Sequence, residues 1–120
     1  MKSIILYTDP SHGWAKVSLS ELFKLEIHDK ISTYSYIYHS KSVRKDNDYR
    51  EAGFVYLEED CDLSTYLKAL DDKDIKFRII EKHTNKSSKI RSYARYQLGI
   101  NYINPFYKSD KPIEVNLNLL

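Results

Sequence analysis

The chain has little cysteine, proline or glycine, and it has no long hydrophobic run. Its 120 residues include one cysteine, three prolines and three glycines. A single cysteine, Cys61, excludes an intrachain disulfide and a zinc site built only of this chain's thiolates, so we expect a small buried thiol. Apolar stretches such as residues 4–6 are too short to span a membrane or to form a secretory signal, so we expect a soluble, cytoplasmic protein without a membrane partner.

Charge of either sign is not in large excess either. The net charge is +2, from 19 Lys and Arg against 17 Asp and Glu, which by itself does not indicate a polyanionic partner. The charges are segregated, because seven acids stand against two lysines in residues 58–74 and seven Lys or Arg stand against Glu81 in residues 76–95. Such segregation is typical of a binding surface and, equally, of helices with solvated polar faces.

The chain does have apolar and aromatic material. Hydrophobic residues make up 42% of it and aromatic residues 13%, with 11 tyrosines. This content excludes a disordered chain, and the length suits one compact domain over residues 1–120.

The first thirty residues predict a strand, a turn, a strand and a helix. "KSIILYT" is rich in β-forming residues, and "DPSHG" after it has the residues of a hairpin turn. We expect Trp14 to be a packing residue of the second strand, with Ser11 and His12 at the exposed tip of the turn. Ser18 and Glu21 then form a capping box, which predicts a short helix that ends near His28.

Later segments predict further strands and one or two helices. "STYSYIYH", "GFVYLEED" and "IKFRIIEKH" have the pattern of strands, and the tail alternates like a strand over residues 113–119. Residues 41–50 resemble a loop, and Asp62 is placed to cap a helix that "DDKD" ends. Residues 88–98 fit a helix or a strand. The predicted class is α+β, with a mostly antiparallel sheet and two or three short helices.

The most suggestive segment for binding is "HTNKSSKIRSYARY". Asn85, Ser88 and Arg91 would suit a phosphate or a carboxylate at the start of a helix, together with Arg95. Tyr93 and Tyr96 beside the arginines would suit stacking on single-stranded nucleic acid. The same residues also fit a plain serine cap followed by a solvated basic face.

Signals for catalysis are weaker. Glu58, Asp60 and Asp62 alternate and would suit magnesium or manganese, but a helix cap and the helix dipole explain most of the run. No G-x-S-x-G motif accompanies Ser11 and His12, and the four histidines have no spacing typical of a metal site. We assign no catalytic residue, metal ligand or cofactor, and we expect a protein that is not an enzyme.

Four segments, in this order, resemble a group of small phage and plasmid proteins: "DPSHGWAKV", "KISTYSYIY", "VYLEEDCDLSTYL" and "HTNKSSKIRSYARY". The patterns DPxHGW, KISxYSY, VYLEEDCD and HTNxxSxIRSY extend from Tyr7 to Tyr96, and residues 41–50 are longer than the group's connection. The group has no assigned activity, so the resemblance implies only a mobile-element protein that works inside a bacterial host. We expect "DPSHGW" and "IRSY" to lie near one another if the sheet brings their ends together.

Three functions are compatible with these residues. The first is a non-enzymatic binding module that acts on a host or viral protein, for example as an inhibitor of a host defence system. The second is a nucleotide or nucleic-acid binder centred on residues 85–95, and the third is a metal-dependent hydrolase that uses Glu58 and Asp60. Whether the chain forms a homo-oligomer stays open. The candidate binding residues are His12, Trp14, Asn85, Ser88, Arg91, Tyr93 and Arg95.

Overall fold

The computed structural model describes residues 1–39 and 53–97. These residues form six strands, two α-helices and two 3-10 turns. In chain order, the elements are β1 (Lys2–Thr8), β2 (Gly13–Ser18), α1 (Leu19–Lys24), a 3-10 turn (His28–Lys30), β3 (Tyr36–His39), β4 (Gly53–Glu58), α2 (Leu63–Asp72), β5 (Phe77–His83), a second 3-10 turn (Lys89–Ser92) and β6 (Ala94–Arg95). No helix in the described part of the chain has the length and apolar character needed to cross a membrane.

The strands form one mixed sheet in the order β5-β1-β2-β4-β3-β6. β1 and β5 run parallel, from the pair Lys2 and Phe77 to the pair Thr8 and His83, while the other neighbours are antiparallel. The α+β class is therefore confirmed, but the prediction of a mostly antiparallel sheet is wrong. A parallel pair cannot be joined by a hairpin, so the chain between β1 and β5 has to cross over and return to the sheet.

The start of α1 follows its sequence signal. The hydroxyl of Ser18 accepts a hydrogen bond from the N–H of Glu21 at 3.2 Å, so Ser18 caps the helix as predicted. The helix ends at Lys24, earlier than expected, and Glu26 beyond it has a φ of 59°. A residue with that left-handed backbone cannot continue an α-helix, and the chain goes on to the first 3-10 turn.

α2 buries Leu63, Tyr66 and Leu70 against the sheet and ends in the "DDKD" segment. The expectation that the side chain of Asp62 caps this helix is wrong. Asp62 stands at the N-cap position, but its side chain forms no capping hydrogen bond. Its carboxylate instead accepts hydrogen bonds from Ser32 and Ser35, in the segment before β3.

Both helices cover the same face of the sheet. The main core joins Leu19 and Leu22 of α1 to strand residues such as Ala15, Val17 and Val55. On the other face, Trp14 is 2% exposed and packs with Tyr36, Tyr56 and Ile90. The prediction that Trp14 is a packing residue of β2, on the face opposite to Ala15 and Val17, is confirmed.

Residues 88–98, for which the sequence fits a helix or a strand, contain a short 3-10 turn and a short strand. Lys89–Ser92 forms a single 3-10 turn, and Ala94–Arg95 forms a two-residue strand beside β3. Tyr96 is 1% exposed and belongs to the main core, so it is not available for stacking on a ligand. The predicted loop at residues 41–50 and the predicted last strand at residues 113–119 lie outside the described residues.

Candidate functional site

The side chain of Asp9 organises the turn between β1 and β2. Its Oδ1 accepts hydrogen bonds from the N–H of Ser11 at 3.1 Å and of His12 at 2.9 Å. Ser11 and His12 are exposed, as predicted, whereas Asp9 itself is buried. A Cβ at Gly13 would lie 2.6 Å from Oε1 of Glu59, so a larger residue there would require the exposed Glu59 side chain to move.

Arg91 binds the same carboxylate from the far end of the chain. Its Nε donates to Oδ2 of Asp9 at 2.8 Å, its Nη2 donates to Oδ1 at 3.1 Å, and the N–H of Ser88 also reaches Oδ2 at 3.0 Å. The pKa of Asp9 lies well below its usual range, mainly because of the hydrogen bond from Arg91, although burial opposes this shift. The anion site that the sequence predicts at Ser88 and Arg91 is thus filled by a carboxylate of this chain.

The Arg91 guanidinium also contacts the exposed end of the turn. Its Nη2 donates to Oγ of Ser11 at 2.6 Å and to Nδ1 of His12 at 3.0 Å, and its central carbon lies 5.2 Å from the Trp14 ring centroid. A guanidinium has no acceptor atom, so Nδ1 of His12 accepts and the ring proton is on Nε2. The expected proximity of "DPSHGW" and "IRSY" is confirmed.

A cleft of about 330 Å³ lies beside this cluster. His12, Trp14 and Arg91 form one group of its lining residues. The two rings of that group stack with centroids 6.0 Å apart. One part of the cleft therefore consists of two aromatic rings and a fixed guanidinium.

A second group of lining residues comes from β3, β6 and the chain before β3. The guanidinium carbon of Arg95 lies 4.6 Å from the ring centroid of Tyr36, and its Nη1 donates to the carbonyl of Thr33 at 3.2 Å. Tyr36 is buried, whereas Tyr34 is 62% exposed. Tyr34 is therefore the aromatic ring of the cleft with the most surface for a partner.

Asp62 holds the segment that presents Tyr34. Its Oδ2 accepts hydrogen bonds from the hydroxyls of Ser32 at 2.7 Å and Ser35 at 2.6 Å, and its Oδ1 accepts from the N–H of Ser32 at 3.1 Å. The Ser35 hydroxyl in turn accepts from the N–H of Glu58 at 2.9 Å. Because Ser35 and Asp62 are buried, this network ties the segment of Tyr34 to the end of β4.

Glu58, Asp60 and Cys61 form the third group of lining residues. Glu58 is buried, and its Oε1 accepts a hydrogen bond from the N–H of Asp60 at 2.9 Å. Within residues 1–39 and 53–97, no three His, Cys, Asp or Glu side chains lie together as metal ligands would. The carboxylate of Glu58 thus binds a backbone N–H of this chain and is not part of a metal site among the described residues.

Cys61 is exposed, so the expectation of a buried thiol is wrong. Cys61 lies in the turn that follows β4, and there it lines the cleft. Desolvation raises the pKa of the thiol, and the hydrogen bond to Glu58 raises it further. A protonated thiol is a poor nucleophile, so the cleft holds no activated cysteine.

The indole N–H of Trp14 is a buried donor without an acceptor among the described residues. A buried donor of this kind costs free energy because its hydrogen bond to water has been lost and not replaced. Among the described residues that line the cleft, it is the one buried side-chain polar atom without a hydrogen-bond partner.

The other predicted binding residues lie outside the cleft. Asn85 is exposed, and its side-chain oxygen lies 3.1 Å from Nε2 of His83. The hydroxyl of Ser88 accepts from the N–H of Ile90 at 3.1 Å, which caps the second 3-10 turn. Tyr93 packs on Tyr56, with ring centroids 5.3 Å apart. Of the predicted binding residues, the cleft therefore brings together His12, Trp14, Arg91 and Arg95.

Sequence reasoning missed Tyr34, Tyr36 and the partner of Arg91. Tyr34 and Tyr36 stand two residues apart in a strand-like segment, a spacing that places side chains on one side, but this pattern equally fits plain cross-strand packing. Asp9 belongs to "DPSHG", which the sequence predicts only as a hairpin turn. Its pairing with a residue 82 positions away has no local signal in the sequence.

Comparisons with known proteins found no relative of this chain. No family model matches the chain, and neither the curated proteins nor the solved structures give a match. The function therefore has to be inferred from the residues of the cleft.

Proposed function

We propose that the protein is a non-enzymatic binding module that holds a segment of another protein in the cleft. The observation that carries this proposal is the set of aromatic and guanidinium groups in the cleft, since Trp14, Tyr34, Tyr36, Arg91 and Arg95 all line it. Trp, Tyr and Arg are the residue types that contribute most binding free energy at protein interfaces. Arg91 and Arg95 are already held by hydrogen bonds, which reduces the entropy lost on binding.

The mixed charge of the cleft suits a polypeptide. Arg95 and the carboxylate of Asp60 are exposed and line the same space, so side chains of either sign and the polar backbone find a partner there. Tyr34 supplies the exposed ring on which an apolar side chain can pack.

The contacts of Arg91 weigh against an anion as the ligand at residues 85–95. Its charge is compensated by Asp9 at 2.8 Å, and the hydroxyl of Ser88 is used by Ile90. The carboxylates of Glu58 and Asp60 would also repel a phosphate in the cleft. For these reasons we place the nucleotide hypothesis for this segment second.

The geometry around His12 and Glu58 also favours binding over hydrolysis. Nδ1 of His12 accepts from Arg91 at 3.0 Å, and Oε1 of Glu58 accepts from the N–H of Asp60 at 2.9 Å. A general base needs a free lone pair directed at its substrate. Both atoms already accept a hydrogen bond inside the protein.

The resemblance to phage and plasmid proteins supports a setting for this activity. We propose that the chain acts in the cytoplasm of a bacterial host, that its partner is a host protein, and that binding inhibits a host defence system. An inhibitor of this kind needs an interface and no catalytic group, which fits the composition of the cleft.

A comparative pull-down tests the proposal. Tagged protein is incubated with host lysate, and the recovered proteins are quantified for the wild type and for Tyr34→Ala, Arg95→Ala and Tyr38→Ala. We expect one host protein whose affinity falls about tenfold with Tyr34→Ala and Arg95→Ala. Tyr38→Ala is the matched control, because Tyr38 is also an exposed tyrosine but does not line the cleft.

Two results would overturn the proposal. One is the absence of any protein whose recovery depends on Tyr34 and Arg95. The other is a rise in melting temperature with free nucleotides that Arg95→Ala abolishes, because a ligand that binds only the folded state stabilises it. The second result would favour the nucleotide hypothesis.

A further inference from the structure

The sheet face opposite the helices has only partial cover in the described chain. Outside the strands, the element that packs on this face is the 3-10 turn Lys89–Ser92, through Ile90. Arg91 of this turn lines the cleft, whereas Lys89 and Ile90 line a second depression of about 250 Å³. The surface around this depression is called here the open sheet face; it comprises Tyr7, Lys16, Tyr38, Phe54, Lys89 and Tyr93.

A row of tyrosine rings crosses the open sheet face. Ring centroids are 5.0 Å apart for Tyr38 and Tyr93, 5.3 Å for Tyr93 and Tyr56, and 6.3 Å for Tyr56 and Tyr7. Tyr56 is buried at the base of the row, and desolvation raises its pKa to about 12. Tyr38 is 46% exposed, whereas Tyr7 and Tyr93 are half-buried, so the row presents part of its ring surface to a ligand.

The charged side chains of this face are mainly basic. Nζ of Lys16 lies 4.3 Å from the ring centroid of Phe54, and Lys89 is exposed. Neither lysine forms an ion pair with the described residues. The pairing of β1 with β5 places Arg78 and Lys82 on the same face.

Carboxylates are scarce on this face. Among its described strand residues, Glu58 is the one acid, and it lies in the cleft beside Trp14. Among the described strand residues of this face, basic groups therefore outnumber acidic ones around the aromatic row.

We propose that the open sheet face binds single-stranded nucleic acid. The bases stack on Tyr38, Tyr93 and Tyr7, and the phosphates lie against Lys16 and Lys89. Unpaired bases present flat faces to aromatic side chains, while basic groups along the path bind the backbone without regard to sequence. Lys82 and Arg78 extend the positive path along β5.

This composition fits nucleic acid better than a protein. Lysine is depleted in protein interfaces, where aromatic residues and arginine dominate, whereas on the open sheet face Lys16 and Lys89 flank the rings. The cleft has the opposite balance, with arginines and carboxylates together. The two surfaces thus call for partners of different chemistry.

Fluorescence anisotropy with a labelled oligothymidylate of about eight nucleotides tests the proposal. Removal of one stacking ring, in Tyr38→Leu or Tyr93→Leu, should weaken binding by about tenfold. The double variant Lys16→Ala/Lys89→Ala should also weaken binding and should reduce the salt dependence by about 1.4 in log K against log salt, since each lost phosphate contact contributes about 0.7.

Two control variants separate this face from the rest of the molecule. Lys68→Ala/Lys73→Ala removes the same charge from the α2 region, and Tyr34→Ala removes an exposed tyrosine from the cleft. Both should bind the oligonucleotide like the wild type. A failure of the cleft proposal would leave this result unchanged, because Tyr34 and Arg95 lie outside the open sheet face.

Three outcomes would overturn the inference. The first is no change in anisotropy at low salt. The second is an equal loss with the α2 variant, which would mean non-specific attraction to positive charge. The third is undiminished binding by Tyr38→Leu and Tyr93→Leu when their melting curves show folded protein, which would exclude stacking.

Discussion

At the scale of single residues, Asp9 has the densest set of contacts near the cleft. It receives N–H donors from Ser11, His12, Ser88 and Arg91. These donors stabilise the ionised carboxylate, and the carboxylate in turn fixes Arg91 over Trp14. One acid therefore joins the β1–β2 turn to the second 3-10 turn, and it determines the shape of one side of the cleft.

The depressed pKa of Asp9 predicts a loss of stability in acid. The usual pKa of an aspartate is 3.8, and the folded state holds Asp9 below it. Above about pH 5 the carboxylate is ionised in both states and its stabilisation is fully present. As the pH falls further, the unfolded chain takes up a proton first, so the free energy of unfolding decreases.

Urea denaturation at neutral pH and at about pH 3 checks this effect. The wild type should lose more stability between the two conditions than Asp9→Asn, which has no carboxylate to titrate there. At neutral pH, Asp9→Asn should be less stable than the wild type by about 1–3 kcal/mol, because it weakens a charge-assisted hydrogen-bond network. An equal pH dependence for both proteins would contradict this account of Asp9.

At the scale of elements, the segment before β3 is held in place by the Asp62 network. Asp62→Ala would leave the hydroxyl of the buried Ser35 and the N–H of Ser32 without their acceptor. We expect the free energy of unfolding to fall by about 2–3 kcal/mol, as measured by the urea midpoint. Partner affinity should fall as well, because Tyr34 lies in this segment.

Asp60→Ala provides the matched control for that prediction. Asp60 is an exposed acid two residues earlier in the same loop, and its removal should change stability by less than about 0.5 kcal/mol. Equal effects of the two substitutions would show that net charge, and not the hydrogen bonds of Asp62, stabilises the loop.

Elements that depend on local contacts could be predicted from the sequence. Ser18 and Glu21 predicted the start of α1, and the burial of Trp14 followed from its place in a strand. The direction of β5 could not be predicted, because it depends on pairs such as Lys2 and Phe77 that are distant in the sequence. The role of Asp62 was missed for the same reason, since a good cap residue also serves as an acceptor for distant hydroxyls.

At the scale of the whole molecule, the parallel pair of β1 and β5 joins two strands that are far apart in the sequence. Ser3 and Arg78, which are also linked by a side-chain hydrogen bond of 3.0 Å, are 75 positions apart. Closing this loop costs more entropy than closing the shorter loop between β2 and β4, although the cost rises slowly with loop length. We infer that β5 joins the sheet after β1, β2 and β4 have paired.

Phe77→Ala tests this order of events. Phe77 packs against the edge of the main core, so its truncation should destabilise the protein by about 2 kcal/mol. If β5 pairs late, stopped-flow measurements should show faster unfolding and an almost unchanged folding rate. Val17→Ala, in the β2–β4 pair, is the comparison and should slow folding. A slower folding rate for Phe77→Ala would place β5 in the transition state.

The late arrival of β5 has a consequence for synthesis on the ribosome. β1 emerges first, and its run of Ile4, Ile5 and Leu6 has an unpaired edge until residue 83 has been made. An apolar strand with a free edge is a template for pairing with another chain. A nascent or truncated chain that ends before β5 should therefore aggregate, and chaperones that shield apolar strands should be needed most during this interval.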